Sequence, residues 1–198
     1  MHLISDRIVF ITGLCAAAGC GTDDMKAAPQ MGTGPGASLR CDSSGKNAWE
    51  TYGADAFVAV NKSIFNAVGT ELGANGDSNV GGSFALIGTG NPPATRDPAP
   101  TFEGKLAAFL VYAYGGPTEI TYTDGLTYQG EQDMTIAHTG LGITSSQYDY
   151  FIGNIVVPAL TGNGVAHGMG GSADPDDVAS CFAPIVTDPT FKASIVGK

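Results

Sequence analysis

The chain has 198 residues, and its 9 Lys and Arg against 19 Asp and Glu leave a formal net charge of -10. That balance excludes a nucleic-acid binder, which needs a basic stripe to displace counterions from phosphate. Hydrophobic residues make up 43% of the chain, enough for one packed core and too many for wholesale disorder.

The first elements concern export. Residues 1–19 have a polar start with His2 and Arg7, an apolar run from Ile8 to Leu14, and small residues Ala16 to Gly19, the layout of a signal peptide. The run is too short to span a bilayer. Ala18-Gly19-Cys20 resembles a bacterial lipobox, with Ala17 where leucine is usual. The expectation is a periplasmic or cell-surface protein touching the membrane only through a lipid on Cys20; the other reading is a plain secreted protein cut nearby. Residues 20–45 read as a flexible tether, since Ala27 to Gly36 has no helical or strand period. Once Cys15 leaves with the signal and Cys20 is acylated, Cys41 and Cys181 form a single pair in an oxidising compartment. They are expected to form a disulfide joining the start of the folded domain to its last helix; two buried free thiols are the alternative.

From Lys46 onward the apolar spacing is helical. Trp49, Tyr52, Phe57, Val60, Ile64 and Val68 recur at steps of three to five, with Phe65 beside them and Gly53 placed to divide the segment. A second stripe is Phe102, Leu106, Phe109, Leu110 and Ala113; a third is Met134, His138 and Leu141; a fourth is Phe151, Ile152, Ile155 and Val156. Pro158 should bend or end that fourth helix. Asp174-Pro175-Asp176-Asp177 supplies a cap for a last helix through Val178 and Phe182. Only Ile120 to Thr123 competes as a strand, so the fold class is all-α. Residues 70–100, rich in Gly and Pro, read as a long surface insertion, and 115–131 as a second loose region; both are placed to flank a pocket.

The chemistry is narrowed by scarcity. The expected mature chain holds two histidines, His138 and His167, too few for a structural zinc site without carboxylate ligands. No Gly-x-Ser-x-Gly elbow follows a strand, and no Gly-x-Gly-x-x-Gly links a strand to a helix. Asp176 and Asp177 are explained by capping. A cofactor needing one histidine remains. His138 lies four residues after Met134 and three before Leu141, on the apolar side of a short helix; a hydrogen-bonded core histidine is the plainer reading. His167, in a glycine-rich run, is expected to be exposed.

The surroundings of His138 point further. Phe109-Leu110-x-Tyr112-Ala113-x-Gly115-Gly116, then Tyr128-x-Gly130, then Asp133-Met134-x-x-Ala137-His138, with Trp49-Glu50-x-Tyr52-Gly53 upstream, resembles the group I truncated haemoglobins over roughly residues 47–190. The resemblance implies that residues 46–198 form a two-over-two helical sandwich around haem b, with a long Gly/Pro-rich insertion and His138 as the proximal iron ligand. It implies a pocket lined by Phe65, Phe84, Phe102, Leu106, Phe109, Leu110, Met134, Leu141 and Phe151, with Phe84 against the haem edge; ordinary core packing is the alternative for each. Phe65, Phe102 and Leu106 fall where relatives place a tyrosine and glutamines that hydrogen-bond a bound gas. Such a bond contributes about 1–3 kcal/mol, so oxygen should be retained roughly tenfold less well. Lys105 falls where relatives pair a side chain with a haem propionate or, swung inward, bind iron. The implied function is binding or reacting with a diatomic gas (O2, NO or CO), or passing electrons to a partner, outside the cytoplasm. A haem-free globin-fold lipoprotein serving as an interaction module is the competing class.

Overall fold

The computed structural model describes residues 33–41, 45–82, 84, 97, 99–163 and 178–198. The expected signal segment, Cys20, the expected tether up to residue 32, residues 83, 85–96 and 98 of the expected insertion, His167 and the expected Asp174–Asp177 cap lie outside the described residues.

The first helix begins where its orphan amides find acceptors. Asn47 Oδ1 accepts from the Glu50 amide at 2.8 Å and Glu50 Oε2 accepts from the Asn47 amide at 2.9 Å, a reciprocal cap that opens α1, Ala48–Asn75. Gly53 interrupts it at φ 74° and ψ 177°, a left-handed conformation that glycine adopts at no steric cost. The sequence expected a division there. Beyond the break, Phe57, Val60, Asn61, Ile64 and Val68 are buried at helical spacing. They face α2, Ala99–Ala113, whose own buried positions include Gly104, Ala107, Ala108 and Val111. Small side chains there let the two helices approach closely.

The region 115–131 is not loose. Strand β1, Glu119–Thr121, pairs antiparallel with β2, Thr127–Gln129, in the register Ile120 opposite Tyr128. The chain is mostly helical, compatible with the all-α expectation, and among the described residues it carries one short hairpin. Ile120 and Tyr128 are buried between exposed neighbours, so one face of the hairpin lies on α2. At the hairpin's end Gly130 meets the backbone of Phe109; a Cβ there would lie 2.5 Å from the Phe109 nitrogen.

Two short helices follow. The first, α3, is Met134–His138, capped by Asp133, whose Oδ1 accepts from the Thr135 and Ile136 amides. The second, α4, is Ser145–Tyr150, opened by a Thr144–Gln147 capping box. It runs into a π-helical stretch, Phe151–Val156, and on into α5, Val157–Gly162. Pro158 thus neither ends the helix nor stands in ordinary α register. Its ring would collide with the carbonyl of Asn154 and it donates no N–H; widening the preceding turn, with the Val157 amide bonded to the Ile152 carbonyl, relieves the conflict. The pattern repeats: a π-helical stretch Val178–Phe182 precedes α6, Ala183–Val186, which carries Pro184. The last helix, α7, is Pro189–Ala193.

Cys41 and Cys181 form a disulfide with Cα atoms 4.7 Å apart across a sequence separation of 140. Residues 33–41 are part of the domain rather than the tether expected for 20–45. The Gly36 amide donates to the Ala113 carbonyl at 2.6 Å, and Gly34 and Gly36 sit so close to Tyr112 and Ala113 that no side chain would fit. Beside this segment Tyr52, Phe57, Tyr114 and Phe182 form an aromatic group, Tyr114 and Phe182 having centroids 4.8 Å apart. Among the described residues no helix is long and apolar enough to cross a membrane.

Candidate functional site

The helices do not close on one another completely. Between them lies a cavity of about 1100 Å³, somewhat above the usual range of ligand pockets. Its inner wall is Phe57, Val60 and Ile64 of α1, and Phe102, Leu106, Phe109 and Leu110 of α2 form a second wall. Met134, Ile136, Ala137 and His138 of α3, with Leu141 after them, form the third. Phe151, Ile152 and Val156 project from the π-helical stretch, whose widened turn re-aims side chains and is frequent at functional sites.

Most of the residues singled out in the sequence meet here. Phe84, Phe102, Lys105, Leu106, Phe109, Leu110, Met134, His138, Leu141 and Phe151 all line the cavity. Phe84 stacks on Phe151 with centroids 5.6 Å apart and meets Phe102 edge-on at 6.1 Å, joining two walls. Phe65 is the exception, since it is not on the wall. Each helical residue turns about 100°, so with Phe57, Val60 and Ile64 facing inward Phe65 is rotated aside. It packs behind Phe102, ring centroids 5.7 Å apart.

His138 is half-buried. Its Nδ1 lies 2.8 Å from the carbonyl oxygen of Met134, one turn earlier. A carbonyl only accepts, so Nδ1 carries the proton and, in the neutral ring, Nε2 carries the lone pair. This backbone anchor also fixes the ring's orientation, as in most histidines that ligate metals.

The polar groups of the wall are mostly committed. The Tyr114 hydroxyl donates to the Phe182 carbonyl at 3.2 Å and that of Tyr148 to the Val186 carbonyl at 2.7 Å. Burial, with the Asp149 and Asp188 charges adding, pushes the Tyr148 hydroxyl up to about 12, so it stays a donor at neutral pH. Gln147 Oε1 accepts from the Thr144 amide. Lys105 Nζ pairs with Asp97 Oδ2 at 2.7 Å. Both side chains are more than a third exposed, so the pair contributes little to stability and the amine stays exchangeable between partners. A separate buried cluster lies outside the cavity: Asn61 Nδ2 donates to the Glu103 carbonyl, and the Tyr122 hydroxyl to Glu103 Oε1.

Sequence reasoning missed the α1 wall, Ile136, and the contributions of Phe182, Phe191 and Ile195 from the C-terminal elements. Phe57, Val60 and Ile64 carry a visible stripe, but a stripe marks burial without separating packed core from cavity wall. Asp97 left no pattern at all. Among the described residues no three His, Cys, Asp or Glu side chains converge as a metal site. No protein-family model, curated protein or solved structure matches this chain.

Proposed function

We propose that this cavity holds haem b with His138 as the protein's ligand to iron, in a two-over-two globin-like domain exported to the periplasm or cell surface and anchored by a lipid on Cys20. One observation carries the reading: a backbone-anchored imidazole stands on the wall of an apolar cavity of about 1100 Å³. The donor set fits. Iron in a porphyrin brings four nitrogen ligands of its own, so one imidazole from the protein suffices. Phe84, Phe102, Leu106 and Phe151 offer the flat, dry surfaces that a macrocycle requires, and Lys105 offers a cation for a propionate.

When bound, the group would supply a site for a diatomic gas or for one-electron exchange. The chain's own residues do the rest. The Met134 carbonyl keeps the His138 ring in the tautomer that presents Nε2. Phe102 and Leu106 exclude water and offer no hydrogen-bond donor, which favours CO and NO over O2. A disulfide between Cys41 and Cys181 accords with an oxidising compartment.

The test is spectroscopic. Protein purified with ferric haem should show a Soret band at one haem per chain, and His138→Ala should lose it. Wild-type protein that remains colourless after haem is offered overturns the proposal and favours a haem-free interaction module.

A further inference from the structure

The helix that carries His138 is poorly supported by its own packing. No residue of α3 is buried, and Ile136 is 62% exposed although it borders the cavity. A helix of five residues does not hold its place by propensity, so the course of its backbone depends in part on what fixes the two ends.

The near end is set by the Asp133 cap and by Gly130 seated on the Phe109 backbone. The far end turns sharply. The Leu141 amide bonds back to the His138 carbonyl at 3.1 Å, between Gly140 at φ 79° and Gly142 at φ 60°. Immediately after this turn the chain is bridged to a distant segment: the Gly142 amide donates to the Lys198 carbonyl at 2.8 Å and the Gly197 amide to the Ile143 carbonyl at 2.9 Å. That segment is itself anchored. Ile195 is buried and lines the cavity, and α7 just before it is held to α4 by the Lys192–Asp149 ion pair, with Lys192 Nζ 5.3 Å from the Tyr148 ring centroid.

We infer that residues 194–198 are a strap that fixes the far hinge of α3 and so positions His138 for ligation. Ile195 of the strap reaches the cavity wall, but the bridging residues Gly197 and Lys198 do not; their bonds act on the imidazole through four residues of backbone, which makes the bridge a positioning element. Its effect on ligation rests on the haem reading above; its effect on the α3 backbone does not.

Two variants remove the bridge by different routes. Gly197→Pro deletes one donor and forbids the φ of 72° found there, and a chain ending at Val196 deletes both bonds without strain. Lys198→Ala keeps both backbone bonds and serves as control. In colourless protein, hydrogen exchange of the amides from Thr135 to Leu141 should accelerate at least about tenfold in both bridge variants and stay unchanged in the control. In protein loaded with ferric haem, both variants should lose haem to excess apomyoglobin about tenfold faster, with a shifted iron–histidine stretch after reduction. If Gly197→Pro does not fold, the shortened chain decides alone. Unchanged α3 exchange overturns the inference, and so does accelerated exchange with unchanged haem loss and an unchanged stretch. Faster α3 exchange in a protein that never takes up haem upholds the strap as the anchor of α3 and overturns the haem reading instead.

Discussion

Replacing both Cys41 and Cys181 by alanine should be the most damaging change available outside the cavity. The bond spans 140 residues, and the chain-entropy model assigns a loop of that length about 5 kcal/mol of stabilisation, through restriction of the unfolded chain. Both residues are buried, Cys181 fully, so alanine adds no unsatisfied polar group and the loss reports mainly the cross-link. Urea titration of oxidised wild type and Cys41→Ala/Cys181→Ala, followed by far-ultraviolet circular dichroism, should show a midpoint shift worth about 5 kcal/mol. The melting temperature should fall by roughly 10–20 °C for a domain of this size. The cross-link joins segment 33–41 to the residue before Phe182, which lines the cavity, so the inner wall should loosen with it. A loss below about 1 kcal/mol, or two titratable thiols in denatured, unreduced protein, refutes the reasoning.

Gly130→Ala should cost about 1–3 kcal/mol by urea titration, because the new Cβ would stand 2.5 Å from the Phe109 nitrogen and the hairpin must lift from α2; a neutral result would mean that this approach is not tight. Tyr148→Phe should cost about 1 kcal/mol at neutral pH for the lost bond to the Val186 carbonyl. It should also flatten the alkaline limb of stability. The folded hydroxyl titrates near 12, above its ordinary value of 10.0, so its contribution is complete below pH 10 and disappears as pH rises toward 12, with a slope of at most about 1.4 kcal/mol per pH unit. Wild type and variant with parallel alkaline limbs would contradict that assignment.

The helices were legible because their chemistry is local. Gly53 divides α1 where a residue free to take positive φ stands in an apolar stripe, and Cys41 and Cys181 pair as expected once the other cysteines are set aside. The misreadings share a cause: one residue type serves two opposite purposes. Glycine at 34 and 36 reads as slack, yet its missing side chain is what lets 33–41 lie against Tyr112 and Ala113. Proline at 158 reads as a bend or a stop, and of the two the stop does not occur, because a helix that widens its preceding turn carries on through it. The first strand of the hairpin was visible at Ile120 to Thr123, but its partner Thr127–Gln129 escaped because it has three residues, too few for alternation to stand out from chance.

The cavity shows the same ambiguity in its sharpest form. A phenylalanine that faces a neighbouring helix and one that faces a flat apolar guest satisfy the same preference for leaving water, so hydrophobic spacing gives the direction of Phe102, Leu106 and Phe151 but not what stands opposite them. Polar groups resolve the ambiguity better, because each requires a partner of particular geometry. On this wall the tyrosine hydroxyls are spent on the carbonyls of Phe182 and Val186. His138 has its Nδ1 bonded to the Met134 carbonyl, which in the neutral ring puts the lone pair on Nε2. The imidazole therefore carries more information about function than the far larger apolar surface around it, and a measurement at that one nitrogen discriminates between pigment and packing.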